Sequence, residues 1–151
     1  MLSAHLIRTI EMYAEELTRE LLDDLARNPR TPAFHGLTRE ELHGRVYDVY
    51  HNLGRWLSER DERHIEQVYR ALGRQRHHSR TPVSELLYAV ILVKEHLRAY
   101  IRRIAAANSA VEMHQEAELN QMIGHFFDKA LYHSVKGYEE ADVPSLAAGL
   151  K

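Results

Sequence analysis

The 151-residue chain has no cysteine, and it has few glycines and prolines, 7 and 4 respectively. The lack of cysteine excludes disulfides, thiolate zinc sites, iron–sulfur clusters and cysteine nucleophiles. It also fits the cytoplasm, which is where we expect the protein to reside. Scarce glycine and proline favour helices over a β fold, which would need many turns.

A long apolar segment and a strong net charge are missing as well. The longest apolar run, LLYAVILV at residues 86–93, is much shorter than the ~20 residues that cross a bilayer. The opening sequence MLSAHLIRTIEMYAEE lacks the basic and apolar regions of a signal peptide. The formal net charge of −2 disfavours nucleic-acid binding, which requires a basic surface. We therefore expect neither a membrane nor a nucleic acid as a partner.

Apolar residues instead recur every three or four positions, which is the spacing of one face of a helix. This pattern predicts an all-α fold, an antiparallel bundle of about five helices in a single domain. The first helix is predicted to end before the segment NPRTP at residues 28–32. Its apolar stripe consists of Leu2, Leu6, Ile10, Tyr13, Leu17, Leu21 and Leu25.

Polar residues mark the boundaries of the other predicted helices. In a capping box, a side-chain oxygen and a glutamate three positions later each accept a hydrogen bond from a backbone N–H group. Such boxes open the second helix at Thr38 and the fifth at Ser109. Thr81 and Pro82 open the fourth helix, and the basic stretch RQRHHSR at residues 74–80 ends the third.

Histidine, by contrast, is abundant, with 11 residues. No two histidines are three or four positions apart, so the spacing that places two ligands on one helical face is absent. A di-iron bundle needs two Glu-x-x-His motifs, and Glu40 and His43 supply one. The sequence also lacks a nucleophile elbow and a glycine-rich phosphate loop. We therefore predict no metal ligand, no catalytic residue and no enzymatic activity, although a metal site assembled from separate helices stays open.

Two histidines and one basic stretch are the candidates for ligand binding. His96 in the apolar fourth helix and His133 in the fifth are candidate axial ligands of haem, which needs only one histidine. Arg76, His77 and Arg80 lead into the start of the fourth helix, where free N–H groups favour anions. The alternatives are a partly buried, hydrogen-bonded His96 and a solvated basic loop. Our main expectation is that the protein has no cofactor.

The fifth helix has one face of apolar and small residues. Its small residues Ala130, Ser134 and Gly137 would let another helix approach closely. His133 lies at the margin of this face. We therefore interpret HFFDKALYHSVKGYEE, residues 125–140, as a packing and relay helix. The residues that share the face are Met122, Ile123, Phe126, Ala130 and Gly137.

Three stretches carry a resemblance to a known family: LGRWLSERDE (53–62), ALGRQRHHSRTPVSELLYAVILVKEHL (71–97) and FFDKALYHSVKGYEEA (126–141). Together they resemble the RsbRD-type N-terminal domain over roughly residues 10–141. This all-helical module stands at the front of RsbT co-antagonist proteins of bacterial stress signalling and of some bacterial histidine kinases. The family's turn before the fourth helix often carries a glycine, and Arg80 stands in that place here.

The resemblance implies a non-enzymatic signal-transduction input domain that works by protein–protein contact, as a homodimer. The alternative is a helical sensor domain that binds a small molecule or haem. Family members normally precede an output domain, so we expect a longer protein or a separate signalling partner. We assign residues 1–141 to the helical sensory or regulatory domain. Residues 142–151 are expected to form a flexible tail or the start of a linker to the output domain.

Overall fold

The computed structural model describes residues 4–58, 61–105 and 110–142, and within these ranges the chain forms seven α-helices, one 3-10 turn and no strand. The helices pack as a bundle around one core, which confirms the predicted all-α single domain. The elements are α1 (Ala4–Met12), α2 (Ala14–Arg27), the 3-10 turn (Pro32–Phe34), α3 (Arg39–His51), α4 (Leu53–Ser58), α5 (Arg63–His78), α6 (Val83–Ala105) and α7 (Ala110–Asp142).

The first predicted helix is divided at Tyr13, which has φ −102° and ψ 21° and so leaves the helical region. The N–H of Tyr13 is shared between the carbonyl oxygens of Thr9 and Ile10, as at a helix end. The break changes the phase of the buried face. Tyr13, predicted to be in the apolar stripe, is 45% exposed, and Ala14 is buried in its place.

The second predicted helix is divided at Asn52, between α3 and α4. The side-chain amide of Asn52 donates to the carbonyl oxygen of Asp48 at 3.1 Å and competes with the regular helical bonding. Two residues later, the N–H of Gly54 donates to the carboxylate of Glu11 in α1 at 3.0 Å. This bond fixes the short helix α4 against α1.

The predicted helix boundaries hold at several places. The capping box at Thr38 is present: its hydroxyl accepts from the N–H of Glu41, and the Glu41 carboxylate accepts from the N–H of Thr38 at 2.9 Å. α6 begins at Val83, one residue after the predicted proline. α7 includes Asp142. Asp142, the first residue of the tail expected at 142–151, is thus helical, while the capping box at Ser109 and residues 143–151 lie outside the described residues.

The basic stretch at 74–80 was expected to end the third helix, but α5 continues through it to His78. The helix then ends in a Schellman motif. The N–H of Thr81 donates to the carbonyl oxygen of Arg76 at 2.9 Å, and the N–H of Arg80 donates to that of His77 at 2.9 Å. Arg80 has φ 61°, the left-handed conformation that favours glycine. The position at which the family often has glycine therefore keeps a glycine-like backbone.

The two longest helices, α6 and α7, pack against each other at the centre of the bundle. Leu97 and Ile101 of α6, and Leu119 and Ile123 of α7, are completely buried. At 33 residues, α7 is about 50 Å long. Among the described residues, no helix is both long and apolar enough to cross a membrane.

Candidate functional site

The contact between α5 and α7 is a crossing of two backbones. A Cβ atom at Gly73 of α5 would lie 2.0 Å from the carbonyl oxygen of Ser134. A Cβ atom at Gly137 of α7 would lie 2.1 Å from the carbonyl oxygen of Arg70. Both distances are far below van der Waals contact, so only glycine fits at these two positions. The small residues of the fifth predicted helix do allow the close approach that the sequence predicts.

Beyond this crossing, side-chain contacts hold the carboxyl end of α7 against α5 and the turn after it. The hydroxyl of Tyr138 donates to the carbonyl oxygen of Thr81 at 2.7 Å. His77 Nε2 lies 3.0 Å from Asp142 Oδ1, and the His77 ring meets that of Tyr138 edge-on. Glu140 lies 3.4 Å from one guanidinium nitrogen of Arg70. The last two turns of α7 are therefore tied to α5 and to the turn that follows α5.

Two turns before the end of α7, His133 joins the helix to the residue that precedes α5. His133 is 5% exposed, and its Nε2 lies 2.6 Å from the carboxylate of Glu62. This hydrogen bond, aided by the charge of Lys129, outweighs desolvation and holds the pKa of the Glu62 carboxyl below its ordinary value. The other ring nitrogen of His133 is buried without a partner among the described residues.

A second histidine–carboxylate pair joins α6 to α2. His96 Nε2 lies 2.7 Å from Asp24 Oδ2, and both side chains are partly buried. Burial raises the pKa of Asp24, but hydrogen bonds from His96 and Asn28 lower it by more, so the pKa is below its ordinary value. His96 therefore has the hydrogen-bonded, partly buried environment that was the alternative to a haem ligand.

Among the described residues, Arg76 is the arginine that is buried, at 5% exposure. Its guanidinium carbon lies 5.9 Å from the centroid of the Phe34 ring. Two of its nitrogens, Nε and Nη1, are buried and have no hydrogen-bond partner among the described residues. Burial, together with the nearby charge of Arg45, lowers the pKa of Arg76 below its ordinary value.

The three predicted anion-binding residues do not lie together. Arg76 is buried against Phe34, His77 faces the end of α7, and Arg80 is exposed at the turn. His96 and His133 each contact a carboxylate, and neither lines the apolar cavity near Phe34. The roles of His96 and His133 as candidate haem ligands stay predictions. The same holds for the binding of an anion by Arg76, His77 and Arg80. In the part of the chain that the structure describes, no three histidine or acidic side chains are placed to hold a metal ion.

Sequence reasoning missed three participants at this site. Gly73 is the partner of the small face on α7, and Glu62 and Asp24 are the partners of the two histidines. The carboxylates are 71 and 72 residues away from their histidines along the chain, so no local spacing indicates these pairs. A signal for Gly73 was present, because a glycine inside a helical pattern is costly unless another element packs on it.

Comparisons with known proteins place the chain in a family. No curated protein and no solved structure gave a significant match. A family model does match, and its description is the RsbT co-antagonist protein rsbRD N-terminal domain. The match covers residues 8–143, most of the chain and all of the helices from which the α5–α7 contact is built. The chain therefore belongs to the RsbT co-antagonist rsbRD N-terminal domain family, whose members serve in stress-response signalling.

Proposed function

We propose that this domain is the input part of a bacterial stress-response regulator, or of a histidine kinase, and that it works in the cytoplasm by protein–protein contact without enzymatic chemistry. The family match over residues 8–143 is the observation that carries this proposal. The protein would act as a homodimer that engages either an output domain or a separate signalling partner such as RsbT.

The contact between α5 and α7 supports a mechanical role for the last helix. Its two glycines bring the backbones together, so a shift of one helix must move the other. The hydrogen bonds of His133 and Tyr138 fasten α7 at two levels along its length. A change in the packing of the bundle would thus reach the carboxyl end of α7, where an output domain would begin. Shifts of packed helices are an established way to transmit a signal.

Sedimentation velocity over a series of protein concentrations tests the protein-contact part of this proposal. We expect the sedimentation coefficient to rise from that of a monomer to that of a dimer. The same experiment with added RsbT tests for a heterologous complex. A chain that stays monomeric at every concentration and does not associate with RsbT would contradict the proposal.

A further inference from the structure

An apolar cavity lies between α3, α5 and α6, and one of its lining residues is charged. Its volume is about 70 Å³, and Phe34, Leu72, Ala89 and Phe127 are among the apolar residues that line it. Arg45 also lines it and is exposed, so the cavity reaches the surface beside this arginine. An apolar cavity of about 150 Å³ holds one benzene molecule, so this one holds roughly three carbon atoms.

Arg76 is not itself in the lining of the cavity, but it lies next to two residues that are. It follows Leu72 by one turn of α5, and its guanidinium group covers Phe34, so it contacts or neighbours two of the cavity's lining residues. The charge of Arg45 is near enough to contribute to the lowered pKa of Arg76. Arg45 donates one hydrogen bond to the side chain of Gln75. One arginine thus lines the apolar cavity, and a second, buried arginine lies next to its lining.

No carboxylate in the described residues forms an ion pair with either arginine. The charge of Glu41 reaches Arg76, but the Glu41 carboxylate is bonded to the N–H of Thr38 in the capping box. Leaving two buried guanidinium nitrogens without an acceptor is costly. An acceptor supplied from outside the chain would remove that cost.

We propose that Arg45 and Arg76 bind the carboxylate of a small aliphatic acid whose hydrocarbon tail fills the cavity. The arginines supply the charge and the N–H donors that a carboxylate prefers, and the cavity limits the tail to about three carbons. The cavity is lined by residues of α5 and also by Phe127 of α7. The binding of such an acid does not depend on the proposed function. Only its role as the input signal rests on that function.

An NMR titration with isobutyrate tests the binding, because this acid joins a carboxylate to a branched tail of three carbons. The reporters are the Nε–H resonance of Arg76 and the backbone amide of Leu72. We expect both to shift and to reach saturation with isobutyrate. Isobutyramide, which has the tail without the charge, and inorganic phosphate, which has charge without a tail, are expected to leave both in place.

Three variants assign the site. Arg76→Met removes the charge, and the loss of an unpaired buried cation should leave the fold intact. Ala89→Val adds two methyl groups to the cavity wall and keeps both arginines. Each is expected to weaken isobutyrate binding about tenfold or more, read at Leu72. Arg74→Met removes an exposed cation of the same helix, which pairs with Glu140, and should bind as the unaltered chain does.

The proposal is overturned if isobutyrate shifts neither reporter in the unaltered chain. It is equally overturned if Arg76→Met and Ala89→Val both bind as well as the unaltered chain does. A response to phosphate equal to that to isobutyrate would show an anion site that does not use the cavity, and would also reject it. Since the titration needs no dimer and no output partner, its failure would leave the sedimentation test of the proposed function unaffected.

Discussion

Gly137 of α7 lies directly against the carbonyl oxygen of Arg70 in α5, so close that a Cβ atom would be 2.1 Å from it. The obstacle consists of backbone atoms, because the same Cβ would also lie 2.8 Å from the carbonyl carbon and from the α-carbon of Arg70. A side chain there cannot turn aside, and the two helices would have to separate.

We expect Gly137→Ala to destabilise the fold by about 3 kcal/mol, the upper range for an overpacked core. The free energy of unfolding, measured by urea denaturation, checks this value. Gly124→Ala is the matched control, because Gly124 is in the same helix and has nothing within 4 Å of its Cβ position. Alanine there should stabilise the fold by up to about 1 kcal/mol. Equal effects of the two variants would refute the backbone crossing.

His133→Phe should raise the pKa of the Glu62 carboxyl towards its ordinary value. The hydrogen bond from His133 is the largest cause of the lowered pKa, and phenylalanine keeps the ring in place without a donor. A carbon-detected NMR titration of the Glu62 side chain measures the pKa directly. Lys129→Ala should produce a smaller rise, since Lys129 Nζ lies 3.7 Å from the carboxylate. If His133→Phe leaves the titration unchanged, the two side chains are not bonded in solution.

The hydrogen bond between Asp24 and His96 should make the free energy of unfolding fall at low pH. The pKa of Asp24 is lowered in the folded state, so the stabilisation is fully present above the ordinary value of 3.8. It is lost as the pH falls through the lowered value. We expect Asp24→Asn to reduce the free energy of unfolding at neutral pH by about 1 kcal/mol and to flatten its pH dependence below about pH 4.

Urea denaturation at a series of pH values measures this dependence. His96→Leu removes the hydrogen-bonding nitrogen on the other side of the same contact, so both single variants and the double variant should give similar curves. Additive losses in the double variant would show that the two residues act separately.

The sequence predicts the elements of this fold better than its contacts. The period of apolar residues, the capping box at Thr38 and the stop at residues 28–32 are local signals, and the helices follow them. The break at Tyr13 has no such signal, because neither glycine nor proline is near it. The break depends on tertiary packing. Ala14 is buried in the core, and the ring centroid of Tyr13 lies 6.4 Å from that of Tyr100 in α6.

Arg76 shows how a wrong helix boundary gives a candidate residue the wrong environment, because the sequence placed it in a loop and the structure buries it in α5. Ile65, Tyr69, Gly73 and Arg76 are buried and recur at helical spacing, so Arg76 continues the inner face of α5. The basic composition of residues 74–80 suggested a helix end and an exposed loop. If the apolar pattern of the third predicted helix is continued for one more turn, it places Arg76 on the buried face of that helix. Its proximity to Phe34 and Arg45 depends on other helices and has no local signal.

Arg80→Gly should stabilise the fold by about 1 kcal/mol, because a residue with a Cβ is strained at φ 61° and glycine is not. Arg80 is exposed, so the substitution removes little packing. Thermal unfolding followed by circular dichroism should show a higher Tm. Ser79→Gly, at the preceding exposed residue with φ −80°, adds only backbone freedom to the unfolded chain and should lower the Tm. A Tm that falls in both variants would mean that Arg80 does not hold the left-handed conformation in solution.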